Sequence, residues 1–173
     1  MDKILVSFQA VGILMDYTQF RSAAYRHLVS CKQLLKNAKD STTRKDIKDR
    51  LCLEIYYLGG YILEAMLSYA VCCSMNISGD VYQSKPFKED AKRFKVHDLN
   101  QKYSYALQNG CNGLRNICFF QKKHPNAIIQ NLFSDWHVKY RYENRANLSP
   151  DVLSTYLSSI EDVYQKILKN YTR

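Results

Sequence analysis

Tyr56-Tyr57-Leu58-Gly59-Gly60-Tyr61-Ile62-Leu63-Glu64-Ala65-Met66-Leu67-Ser68-Tyr69-Ala70-Val71 is nearly all apolar or aromatic, with one carboxylate near its middle. A helix that is apolar around most of its circumference belongs at the centre of a bundle, surrounded by neighbours. The Gly59-Gly60 pair weakens such a helix by roughly 1 kcal/mol per glycine. The gain expected in return is the close approach of another helix. Glu64 is costly to bury alone, so it is expected to meet a tyrosine hydroxyl or Arg141.

The wider run 51–73 is long enough to tempt a membrane reading. Glu54, Glu64 and four tyrosines make spanning expensive, and a buried bundle helix fits them better. A length of 173 residues suits one domain, 1–173, with a sizeable core. Three prolines and six glycines leave little that reads as sandwich, barrel or linker. The net charge is +9 and the pI about 9.2, a balance that favours acidic partners such as nucleic acid, anionic membrane or an acidic protein, the alternative being a solvated basic surface. Cys31, Cys52, Cys72, Cys73, Cys111 and Cys118 form no Cys-x-x-Cys pair and no zinc-ligand spacing with histidine. They read as reduced thiols of a cytoplasmic protein, with no metal and no cofactor. The apolar run 4–15 follows a single lysine balanced by Asp2, which is not the start of a secretory signal.

Around the central segment, periodicity predicts an all-α, up-and-down bundle of four to five main helices. Residues 18–38 carry Phe20, Ala24, His27, Cys31, Leu34 and Ala38 at three- and four-residue steps. Residues 40–43 are a loop and a cap for the next helix, 45–74. Residues 75–96 show little periodicity; a connection that long is uncommon inside a domain and is often functional. Asp98 caps a helix that stops at Asn109-Gly110. A short helix is expected within 111–123. A further one carries Ile128, Ile129, Leu132, Phe133, Trp136 and Tyr140 on one side. Ser149-Pro150-Asp151 supplies a cap, a first-turn proline and a first-turn acid for the last helix. Its stripe is Leu153, Tyr156, Ile160, Val163, Ile167 and Tyr171.

Four features occur in a fixed order: Ala24-Tyr25-Arg26-His27-Leu28, Tyr57-x3-Tyr61-x2-Glu64-x2-Leu67, His97-Asp98-Leu99 and Tyr140-Arg141-Tyr142. In that order, over roughly 18–171, the chain resembles HEPN domains. These are small prokaryotic helical bundles of RNA processing, toxin–antitoxin pairs and phage defence. The resemblance implies a homodimer and a partner encoded nearby, such as a nucleotidyltransferase. Many members carry a lysine where this chain has Ser68. Catalytic members place a histidine a few residues after an arginine, and two protomers join these into a metal-independent RNase site. Arg141 and Arg145 have no such histidine. Arg21-x5-His27 fits the bare pattern, but its two side chains leave the helix about 120° apart. The usual nuclease pair is therefore missing.

Histidines, carboxylates and basic groups supply the remaining chemistry. His27 lies on an apolar stripe, where a hydrogen-bonded structural histidine is expected. His97 heads a helix, where it is expected to fix the junction through a local hydrogen bond; functionally it is a proton donor or phosphate contact. One basic group holds Lys85, Lys88, Lys92, Arg93 and Lys95, and a second is Lys122-Lys123-His124. A third interleaves His137, Lys139, Arg141 and Arg145 with Tyr140 and Tyr142. Cations pair with phosphates and aromatic faces stack on unpaired bases, so this third group has both ingredients of an RNA or nucleotide site. The expected function is a non-catalytic RNA- or nucleotide-binding module with no membrane association. One alternative is a metal-independent endoribonuclease toxin with a displaced site built from Arg141, His97 or His137. Another is a protein–protein adaptor without nucleic acid.

Overall fold

A computed structural model describes residues 15–117, 124–143 and 148–171. Among them are seven α-helices and no strand. They are α1 (Thr18–Lys39), α2 (Lys45–Ser74), α3 (Lys85–Glu89), α4 (Ala91–Phe94), α5 (Leu99–Gln108), α6 (Ala127–Asp135) and α7 (Pro150–Tyr171). The count exceeds the expected four to five because 75–96 is structured. A 3-10 turn at Val81–Gln83 precedes the one-turn helices α3 and α4. Aromatic contacts drive that order: Tyr82 packs on Phe87 and Phe87 on Phe94. An isolated bridge between Asp16 and Asp80 fixes the start of the segment.

Helix α2 is the core. Most of its surface is covered by α1, α5 and α7, which is what its unbroken apolar circumference requires. The helix is long and apolar enough to cross a membrane by composition, and most of that window is buried within the protein itself. The two glycines perform different tasks. A Cβ on Gly59 would lie 2.6 Å from Tyr156 Cε1 and 2.8 Å from Ile160 Cδ1, so α7 packs against bare backbone there. A Cβ on Gly60 would lie 1.8 Å from Trp136 Cε2. The second glycine thus admits an indole rather than a helix.

Helix direction departs from a simple up-and-down bundle. α1 and α2 are joined by a short loop and run antiparallel, as expected. α5 runs with α2, because His97 meets Glu64 at one end and Ser74 donates to the Asn109 carbonyl at the other. α7 also runs with α2: Tyr156 packs at Gly59, and the Tyr69 hydroxyl reaches the Tyr171 carbonyl. Long connections carry the chain back before each of these helices, so neighbours need not alternate.

Local signals account for most helix ends. The Asp98 carboxylate accepts from the Gln101 amide at 2.8 Å, and Gly110 takes φ +85° after α5. Asn126 caps α6, and Ser149 Oγ accepts from the Val152 amide at 3.3 Å at the start of α7. The 40–43 loop does not cap α2. Arg44 is its N-cap and makes no side-chain cap, while Thr43 Oγ1 donates to the Asn37 carbonyl of α1. Of the segment 111–123, where a short helix is expected, the described part holds a 3-10 turn at Asn112–Asn116, and 118–123 lie outside the described residues. The expected helix through Tyr140 ends at Asp135. Trp136 is extended, and its indole Nε1 donates to the Tyr57 carbonyl at 3.1 Å, a contact that continued helix would forbid. The five described cysteines, Cys31, Cys52, Cys72, Cys73 and Cys111, are buried. Cys118 lies outside the described residues.

Candidate functional site

The four sequence features converge on one side of α2. Tyr57, Tyr61 and Glu64 stand at i, i+4 and i+7, which places them in one row. α1 brings His27, whose ring lies 6.4 Å from that of Tyr61. The start of α5 brings His97, 6.3 Å from the Tyr61 ring on another side. A 3-10 turn at Val138–Tyr142 brings Arg141.

Arg141 Nε donates to the Tyr57 hydroxyl at 2.8 Å, and its guanidinium lies 5.7 Å from the Tyr57 ring centre. Tyr57 in turn donates to the Tyr61 hydroxyl at 3.3 Å. Burial and the neighbouring Tyr57 hydroxyl push the Tyr61 phenol well above its ordinary range, so it stays neutral. Arg141 is therefore an exposed, permanently charged group held by a neutral tyrosine ladder.

Glu64 is paired, but with neither expected partner. Its Oε2 lies 2.9 Å from His97 Nδ1, with the carboxylate side chain 15% exposed and the imidazole 54% exposed. Arg141 is held instead by Tyr57. The bond also replaces the local contact expected of His97, tying the start of α5 to the middle of α2. Nδ1 is the ring nitrogen taken up by the carboxylate, and Nε2 makes no hydrogen bond among the described residues. His27 is half-buried, and desolvation followed by nearby Arg26 lowers its pKa, which keeps it neutral near pH 7.

The basic groups divide sharply. Arg93 is absorbed into structure: it reaches Asp90 at 3.4 Å, donates to Gln108 and covers the Tyr105 ring at 5.3 Å. Lys95 lies 4.3 Å from the Phe87 ring centre, and Lys92 is exposed on α4. In the late group, His137 Nδ1 accepts from the Lys139 amide at 3.1 Å and so caps the turn. Tyr140 packs edge-on against Tyr56 at 4.8 Å and faces inward. Lys139 and Arg141 are exposed, and Tyr142 is 79% exposed. Arg145, Lys122 and Lys123 lie outside the described residues.

One buried charge was not anticipated. Lys102, on α5, is 2% exposed, and its ammonium donates to the Phe94 carbonyl. Desolvation lowers its pKa to about 8, against the opposing pull of Glu64. The signal was present in the spacing: Leu99, Lys102, Tyr103 and Ala106 occupy i, i+3, i+4 and i+7, the buried stripe of α5. Lys102, Glu64 and His97 line a pocket of about 250 Å³ walled by Phe20, Phe87 and Phe94. No group of histidine, cysteine and carboxylate side chains suited to a metal ion occurs among the described residues.

No protein-family model, no curated protein sequence and no solved structure matches this chain.

Proposed function

We propose that this protein is an RNA- or nucleotide-binding module of HEPN-like architecture, acting with a partner in a toxin–antitoxin or defence setting. The observation that carries the binding function is the anchored guanidinium. Arg141 is exposed, its Nε is held by Tyr57, and Tyr142 presents an open ring beside it in sequence. Holding one end of a guanidinium lowers the entropy lost when it meets a phosphate oxygen, and a free aromatic face stacks on an unpaired base. The excess of positive charge strengthens long-range attraction to a polyanion.

The direct test is purified protein with labelled single-stranded RNA in EDTA at low and moderate salt, following binding and cleavage together. The expected result is salt-sensitive binding that weakens about tenfold in Arg141→Ala, as for loss of one charged hydrogen bond. Absence of binding even at low salt would replace this function with that of a protein–protein adaptor.

A second function, metal-independent RNA cleavage, is favoured by the Glu64–His97 pair. An imidazole oriented by a carboxylate, with its other nitrogen free of hydrogen bonds among the described residues, has the arrangement of a general acid–base. Arg141 would then stabilise charge on the phosphorane. Cleavage in EDTA that disappears in both His97→Ala and Arg141→Ala would establish it. The HEPN resemblance also implies a homodimer, which sedimentation of the pure protein would test.

A further inference from the structure

The pocket beside the Glu64–His97 pair has a chemistry of its own. Its walls are the rings of Phe20, Phe87 and Phe94, with Phe94 6.2 Å from Phe20 and 5.9 Å from Phe87. Its charged lining comes from several elements: the Lys102 ammonium from α5, the Glu64 carboxylate from α2 with its partner His97, and Lys95, whose ammonium lies 4.3 Å from the Phe87 ring centre. Lys102 spends one N–H on the Phe94 carbonyl and makes no ion pair among the described residues. An ammonium offers three donors, so this one keeps donors to give inside an almost fully buried setting. Glu64 uses Oε2 for His97 and keeps Oε1 without a hydrogen bond among the described residues.

Lys95 stands over an aromatic wall, while an anion placed between Lys102 and Glu64 would gain from the first and lose to the second. A neutral ring with a carbonyl oxygen next to an N–H satisfies both groups at once, and its faces suit the aromatic walls. That edge is found on the keto nucleobases. Guanine offers O6 to the ammonium and both N1–H and its exocyclic amine to the carboxylate; uracil offers a carbonyl and N3–H, but its second carbonyl then faces the carboxylate. Adenine has no carbonyl. The volume of about 250 Å³ is in keeping with a single base.

We infer that the pocket lined by Lys102, Glu64 and the three phenylalanines receives one unpaired keto base, guanine in preference. This rests on the RNA- or nucleotide-binding function proposed above and names the base that function would read. His97 and Glu64 belong both to the pocket and to the row leading to Arg141, so a strand held there by its phosphates would pass beside it.

Free nucleosides separate the two ideas, because they carry no phosphate for Arg141. Calorimetric titration of the whole chain with guanosine, uridine and adenosine is expected to rank them in that order, with adenosine at least tenfold weaker than guanosine. Lys102→Met and Glu64→Gln should each weaken guanosine at least tenfold. Methionine fills the lysine volume without a charge, so the first variant keeps its packing, and circular dichroism verifies it. Equal affinities, a preference for adenosine, or no nucleoside binding by a protein that still binds RNA would overturn the base pocket and leave the RNA module standing. Guanosine binding without any RNA binding would overturn the module and retain the pocket as a nucleoside site.

Discussion

Single atoms decide much of this protein. Gly60 has no room for a methyl group, because the Trp136 indole occupies that space and donates from Nε1 to Tyr57. Gly60→Ala should therefore destabilise by more than the ~1–3 kcal/mol usual for an overpacked core, measured by urea unfolding. Gly59→Ala should cost less, since its nearest neighbours are the Tyr156 ring edge and a flexible Ile160 methyl. Lys102 carries a pH dependence with a definite sign. Its folded pKa lies near 8, and an unfolded lysine titrates near 10.5. Between those values the unfolded chain holds the proton and the folded chain does not, so this group makes stability rise with pH across that window. At pH 7 the buried charge costs on the order of 3 kcal/mol at about 1.4 kcal/mol per pH unit. Lys102→Met should accordingly melt higher than the parent at pH 7, with the gap narrowing by pH 9.5 in paired melting curves.

Helix ends place the site. His97 stands one residue before the Asp98 cap, so the cap that starts α5 also sets where the imidazole meets Glu64. Asp98→Ala should cost about 1 kcal/mol, the usual worth of an N-cap. It should also displace the His97 ring from Glu64, seen as changed chemical shifts of its ring protons at fixed pH; unchanged shifts would detach the cap from the site. Arg141 is positioned the same way. Its turn follows the extended Trp136, and the indole buried on Gly60 is what brings the turn against α2. Periodicity found the helices at 18–39, 45–74, 99–108 and 150–171 because each has a long, one-sided or all-round apolar pattern. It missed the stop at Asp135. Trp136 continues the apolar spacing of α6, and only the cavity over Gly60, distant in sequence, draws it out of the helix.

Taken whole, the molecule is a basic bundle with its polar row on one side of its central helix. If that row holds a polynucleotide backbone, affinity should fall linearly on a log–log plot against salt, with a slope of about −0.7 per phosphate contact. Removing Arg141 should flatten the slope by about one contact, read by fluorescence anisotropy at several salt concentrations; an unchanged slope would take Arg141 out of phosphate binding. Among the residues of the basic groups, Arg93 is exposed but engaged by Asp90, Gln108 and the Tyr105 ring, whereas Arg141 is exposed beside the open ring of Tyr142. Charge counting cannot separate these cases, because a cation's availability depends on the neighbours that folding supplies.

What the chain determined by itself is the all-α class, the central place of α2 and the need for a partner at Glu64. These follow from spacing and from the cost of burying a carboxylate, both local properties of a helix. Only the tertiary structure decided that the partner is His97, that α5 and α7 run with α2, and that the buried stripe carrying Lys102 faces an aromatic pocket shared with Glu64. Each of those depends on contacts between residues far apart in the chain, where the winner among several possible partners is set by packing geometry rather than by residue type.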